Sequence, residues 1–189
     1  KIGQVFWGSN FLADDYKVSG WLYGRLLGFV GLIAFFSFWA QSDLLISSEG
    51  LVPFKDDLQQ IEGFITTTNS DVSKWYARPT LLWLSNTDLW LDIILFLGVC
   101  SSILLLIGII PHIAIAISWV SYLSISSVSE PFLNFQWDTL LLETYLLSFF
   151  FVPWKIYDDR TKIQNPSIIG RWLLWLLIIK LMFESGLVK

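Results

Sequence analysis

"NFQWDTLLLETYLLSFFFVPW", residues 134–154, is the stretch on which the reading of this chain turns. Its apolar residues are dense enough for lipid, yet Asp138 stands at its mouth and Glu143 lies inside it. Carboxylates near hydrocarbon are costly, and they usually face a bundle interior or a partner charge. The rest of the chain repeats the apolar theme. Residues 26–42 carry no charge, and residues 93–129 carry none apart from His112, read as neutral. Such blocks match the ~20 residues that cross a ~30 Å hydrocarbon core at about 1.5 Å per residue.

Composition agrees. The 189 residues are 54% hydrophobic and 15% charged, with a mean hydropathy of +0.61. A soluble domain carries about 25% charged residues, so this chain lacks the polar surface it would need in water. The expected fold is an all-α polytopic membrane protein, a single transmembrane helical domain over 1–189. It is a bundle of about five spans at 23–41, 89–110, 112–128, 139–154 and 167–187. Gly108 and Pro111 separate the second span from the third, and Pro166 suits a helix start, where a missing N–H costs nothing. The chain begins with Lys and ends just after an apolar run, so a fragment of a longer protein is expected.

Between the first two spans lies a long loop, 42–88, expected on the extracytoplasmic side. Within it "FKDDLQQIEGFI" (54–65) sets Leu58, Ile61 and Ile65 at helical spacing. "WYARPTLLWLSNTDLW" (75–90) is aromatic, as a segment folding back over the bundle would be. A cap on the far face is the expectation. Orientation follows from basic residues in the loops. Lys1 and Lys17 precede the first span and Arg25 lies at its start, and Lys155, Arg160, Lys162 and Arg171 lie around the last connection, which places the N-terminus in the cytoplasm. Acids gather at the opposite edge: Asp88, Asp92, Glu130 and Asp138. Trp21, Trp90, Trp137, Trp154 and Trp172 fall near the expected interfaces.

Depth then pairs the buried charges. Glu143 lies ~6 Å inside the fourth span, and Lys180 has climbed ~20 Å up the antiparallel fifth. An ion pair between them is expected, with Glu184 one turn beyond as a third member. Such a pair either sets helix register or lines a polar cavity. Arg171 is expected at the cytoplasmic headgroup level with Arg25. Asp138, next to Thr139, suits the start of a helix, where a carboxylate meets free N–H groups and the dipole.

Other chemistries find little support. His112, at a tight turn without Cys or a second His nearby, reads as a turn residue and not a metal ligand. Cys100, the single cysteine, reads as a buried, inert thiol. "GRLLGFVG" (24–31) spaces glycines at one helical turn, a close-packing pattern and not a phosphate loop. The serines of "SISSVS" (124–129) are expected to bond the helix backbone or its neighbours. No metal, cofactor or nucleic-acid motif is present.

Four separated stretches carry a resemblance: 25–54, "RPTLLWLSNTD" (78–88), 122–154, and "RWLLWLLIIKLMFESGLVK" (171–189). Over 24–189 the chain resembles the membrane portion of the lipase maturation factors, most specifically in "FQWDTLLLE" (135–143) and in the last stretch. The resemblance implies a five-span protein of the endoplasmic reticulum membrane, or of the inner membrane in a bacterium. It implies a chaperone-type, non-catalytic role in the folding and assembly of secreted lipases, with the lipid bilayer and those lipases as partners. The family's large soluble domain after the fifth span is not in this chain. Gln136, Trp137, Asp138, Glu143, Arg171, Lys180 and Glu184 stand as family-motif residues and members of a possible intramembrane polar cluster. A more distant likeness to the vitamin K-dependent carboxylase type of membrane domain supplies an alternative. This is a membrane-embedded enzyme in which Asp138, Glu143, Lys180 and Glu184 form an acid–base site. A transporter is disfavoured by the want of repeat symmetry.

Overall fold

The computed structural model describes residues 16–68, 72–130, 132–152, 154, 156–157 and 165–187. Among these the chain is helical, with one isolated bridge between Ile109 and Tyr157. The helices are α1 (Lys17–Leu45), α2 (Phe54–Thr68), α3 (Lys74–Ala77), α4 (Asp88–Ile107), α5 (Pro111–Val128), α6 (Gln136–Phe151) and α7 (Ile168–Leu187), and a 3-10 turn covers Leu81–Leu84. α1, α4 and α5 are long and apolar enough to cross a membrane. This is a membrane protein. α6 has only 16 residues, a rise of ~24 Å, and α7 includes Arg171, Lys180 and Glu184 among its 20 residues. Among the described residues, length and composition therefore mark three of the five expected spans outright.

The helix ends have local causes. α4 stops at Ile107, earlier than expected, because Gly108 adopts φ 87 and its N–H bonds the Leu104 carbonyl. α6 begins one turn earlier than expected. Its third residue, Asp138, bonds back to the Phe135 N–H at 3.2 Å, a capping-box arrangement. It ends at Phe151, since Val152 precedes Pro153 and takes the extended conformation a pre-proline residue favours. α1, with 29 residues, spans ~43 Å and overruns its predicted 23–41 at both ends, where Lys17, Gln41 and Asp43 are polar.

Successive long helices are antiparallel neighbours: α1 packs chiefly on α4, α4 on α5, α5 on α6, and α6 on α7. The core divides into two clusters. One, around Phe35, Leu95 and Tyr122, lies towards the end where α1 and α5 finish. The other, around Leu105, Ile115 and Tyr145, lies towards the opposite end. Glycines let the helices approach. A Cβ on Gly28 would lie 2.6 Å from the Leu106 nitrogen on α4, and one on Gly170 would lie 2.3 Å from the Phe151 Cα on α6. The small-residue reading of 24–31 thus holds for Gly28, while a Cβ on Gly24 would meet nothing within 4 Å.

The connection between α1 and α4 is not a plain loop. It folds as α2, α3 and the 3-10 turn, and it covers the end of the bundle. Phe54 and Leu58, one turn apart, are fully buried in the first core cluster beside Ile46 and Leu82, while Ile61 and Ile65 extend the same face at half burial. Polar contacts fasten it further. The Thr80 hydroxyl donates to the Ser124 carbonyl at 2.9 Å, the Leu81 N–H donates to the Ser124 hydroxyl at 3.2 Å, and Trp83 Nε1 donates to the Arg78 carbonyl at 2.9 Å. Ser124 and Ser127 accordingly bond both their own helix and the cap, Ser126 bonds its own helix alone, and the Ser129 hydroxyl does neither.

Arg78 is the main clasp. Its Nε and Nη2 each reach Asp57 at 3.2 Å, and Nη2 also donates to Glu130 Oε2 at 3.0 Å. The bond to Glu130, with those to Asp57, raises the guanidinium above its already high range. A forked pair with a second carboxylate outperforms a simple surface bridge. Arg78→Met is expected to loosen the cap by about 1–2 kcal/mol and to speed proteolysis within residues 46–84. Arg78→Lys, which cannot fork, should give an intermediate rate. Equal cleavage rates in all three proteins would refute the clasp.

Lys1, Lys155, Arg160 and Lys162, on which much of the orientation argument rests, lie outside the described residues.

Candidate functional site

The seven residues singled out from the sequence occupy three places. At the outer seam between α6 and α7, Lys180 donates a hydrogen bond to Glu143 Oε1. Its Nζ also stands 3.9 Å from Glu184 Oε1, one turn along α7. Gln136 joins these three around a cleft of about 210 Å³. Lys180 and Glu143 meet because α6 and α7 are antiparallel and the two residues reach the same height. The triad is half exposed on the flank, not enclosed in the bundle.

Asp138 lies on another side of α6. It is buried, 4% exposed, and accepts a 2.6 Å hydrogen bond from the Tyr122 hydroxyl as well as the Phe135 N–H. It opens towards α1, into a cleft of about 590 Å³ walled by Phe38, Leu141 and Phe132. Trp137 stands at the mouth, 67% exposed, stacked on Phe135 with ring centroids 5.0 Å apart. Asp138 and the Glu143–Lys180–Glu184 triad therefore share no cavity. The four-residue acid–base site of the alternative reading does not assemble.

Arg171 is at the opposite end of α7, ~14 Å along the axis from Lys180. Its guanidinium lies 4.4 Å from the centre of the Tyr16 ring. Arg25, at the same end, stacks over Trp21 and fills the space a Cβ on Gly108 would need.

The acids at the cap end also disperse. Asp88 is held by Lys55 at 3.3 Å and by the Ser48 hydroxyl. Asp92 accepts from Trp39 Nε1 at 3.0 Å, and Glu130 is taken by Arg78. Each has its own partner, so they form no shared anionic patch. Sequence reasoning missed the Tyr122, Trp39 and Arg78 partnerships, since no local signal links residues so far apart in the chain. His112 is buried at the start of α5 and stacks on Trp154, with centroids 4.1 Å apart. Among the described residues no group of three His, Cys, Asp or Glu side chains could hold a metal ion.

What the cap end does offer is apolar surface held on a rigid base. Leu51, Phe64, Tyr76 and Leu84 are 77%, 69%, 86% and 63% exposed on the cap, and Phe135 and Trp137 add to this at the mouth of the Asp138 cleft.

The family described as "Lipase maturation factor transmembrane domain" matches residues 18–189. The chain belongs to the lipase maturation factor family. It is 31% identical over 169 residues to Lipase maturation factor 1 of Mus musculus, covering 87% of this chain and 29% of that protein. The same factor of Bos taurus is 32% identical over 169 residues, covering 87% of this chain and 30% of its own length. Lipase maturation factor 2 of Xenopus tropicalis is 31% identical over 179 residues, with 90% and 24% covered. The chain thus spans about a quarter to a third of the length of the curated lipase maturation factors it matches. No solved structure matches it. The matched segment takes in α1 to α7, so the cap and both clefts belong to the family's transmembrane domain.

Proposed function

We propose that this chain is the membrane platform of a protein that assists the folding and assembly of secreted lipases, without catalysis of its own. The names of its relatives motivate the client. The observation that carries the reading is the cap: a folded 46–84 segment, clasped to the bundle through Arg78 and Ser124, that holds apolar side chains outward on a fixed base. Displaying unsatisfied apolar surface without a catalytic group is what a client-holding factor needs. In this reading α6 and α7 complete five spans, the N-terminus is cytoplasmic, and the cap faces the lumen of the endoplasmic reticulum, or the periplasm in a bacterium. The Glu143–Lys180–Glu184 triad then lies within the membrane, where mutual pairing lowers the cost of three charges and sets the register of α7 on α6.

The test is deletion of the full-length gene in its host, followed by measurement of secreted lipase activity per mass of lipase protein. Specific activity should fall while the lipase polypeptide persists, and Lys180→Met, provided it inserts, should restore it as wild type does. Unaltered specific activity after deletion would refute the client assignment. Impermeant thiol labelling tests topology: in a Cys100→Ser background, Glu49→Cys and Gly186→Cys should react from one side of the membrane and Val18→Cys from the other.

A further inference from the structure

Between the first half of α1 and the outer face of α7 runs a groove of about 400 Å³, floored by α6. Its walls are almost wholly apolar, with Leu174, Trp175, Ile178 and Leu181 along α7. Two of the hydroxyls that line it are already engaged: Tyr23 with Ser148 at 2.6 Å, and Thr144 with the Leu140 carbonyl at 2.6 Å. One end differs. There Arg171 stands against the Tyr16 ring, and among the described residues no hydrogen bond or ion pair engages its guanidinium. From Arg171 to Leu181 the groove follows α7 for ~15 Å, about half of a ~30 Å hydrocarbon core, the depth of one leaflet.

We propose that this groove is a binding site for a single anionic glycerophospholipid, its phosphate on Arg171 and one acyl chain along Leu174, Ile178 and Leu181. The inference rests on the reading that α7 crosses the membrane. Given that, Arg171 in the first turn of α7 sits at headgroup level, where a guanidinium presents forked donors that match phosphate oxygens. Basic pockets between helices at the membrane edge take anionic head groups for this reason. The N-terminal ends of α1 and α7 converge there too, close enough that a Cβ on Gly20 would lie 3.2 Å from the Pro166 ring, and their dipoles add favourable potential for an anion. A neutral or zwitterionic lipid would fill the groove equally well but leave the guanidinium without net charge compensation.

The experiment is native mass spectrometry of the full chain released from nanodiscs holding equal amounts of phosphatidylglycerol and phosphatidylcholine with identical acyl chains. Wild type should retain one phosphatidylglycerol with about tenfold preference, the scale of a charge-assisted contact. Arg171→Gln should abolish the preference, and Ile178→Trp, which fills the groove from an exposed position, should abolish retention with Arg171 intact. Equal retention of the two lipids by wild type, or a preference surviving Arg171→Gln, would overturn the site. So would displacement of the lipid by millimolar inorganic phosphate, which would make the site one for free anions. A lipid-free dimer would overturn it in favour of a second copy. The thiol labelling of Gly186→Cys separates the two failures. Labelling from the same side as Val18→Cys removes the five-span reading, whereas lost selectivity with opposite-side labelling removes the lipid site alone.

Discussion

Gly28→Ala is expected to lower the thermal midpoint of the detergent-solubilised protein, while Gly24→Ala, one turn away on the same helix, leaves it unchanged or raises it. The two substitutions have the same intrinsic effect, since alanine gains up to about 1 kcal/mol over glycine inside a helix. Their surroundings differ. At Gly28 the new methyl would sit 2.6 Å from the Leu106 nitrogen and 2.9 Å from the Ser102 carbonyl oxygen. Both are backbone atoms of α4, so no side-chain rotation can relieve the contact. α1 and α4 must separate along the most extensive helix pair in the molecule, and overpacking of that kind costs about 1–3 kcal/mol. Gly31→Ala should be at least as damaging. Its methyl would overlap the Tyr145 hydroxyl, 1.8 Å away, and Tyr145 is fully buried. Fluorescence-detected size exclusion after a heating series reads all three. Equal midpoints for Gly24→Ala and Gly28→Ala would show that α1 and α4 do not approach as described.

Replacing Asp138 by alanine should be the second severe change. The carboxylate serves two buried or half-buried donors, the Tyr122 hydroxyl and the Phe135 N–H. Loss of a helix cap costs about 1 kcal/mol, and an orphaned buried hydroxyl a further 1–3 kcal/mol, roughly. About 2–4 kcal/mol together is a large share of a typical stability. The double variant Asp138→Ala/Tyr122→Phe should be less destabilised than the sum of the single ones, because it leaves no hydroxyl without an acceptor. Strict additivity would refute the contact. Asp138→Asn, which keeps an acceptor but not the charge, should fall between wild type and Asp138→Ala. A large loss of lipase-assembly activity in Asp138→Asn at unchanged stability would instead make this residue part of the client surface.

Helices and their breaks were legible in the sequence because their causes are local. A charge-free run of sufficient length has only one way to satisfy its backbone in lipid. Gly108 and Pro111 each act within a turn of their own position, and "FKDDLQQIEGFI" declares its buried face through spacing alone. The Glu143–Lys180 contact was legible too, since rise per residue on two antiparallel helices is enough to match their heights. Rotation about the helix axis was not. The alternative enzyme reading put Asp138, Glu143, Lys180 and Glu184 in one acid–base site, but Asp138 faces α1 while the others meet at the seam of α6 and α7. Only packing decides azimuth, because it depends on which small residue admits which neighbour. The same limit hid Tyr122 and Trp39, whose acids lie on other helices, and the clasp of Arg78 on Asp57 and Glu130. By itself the sequence determined the membrane class and the long helices, with the ends of α4 and α6 placed to within about a turn. The tertiary structure decided which charges meet, that the 46–84 segment is a folded cap, and that α1 and α7 leave a groove with Arg171 at its end. Those outcomes depend on pairs of residues distant along the chain, and no local pattern encodes them.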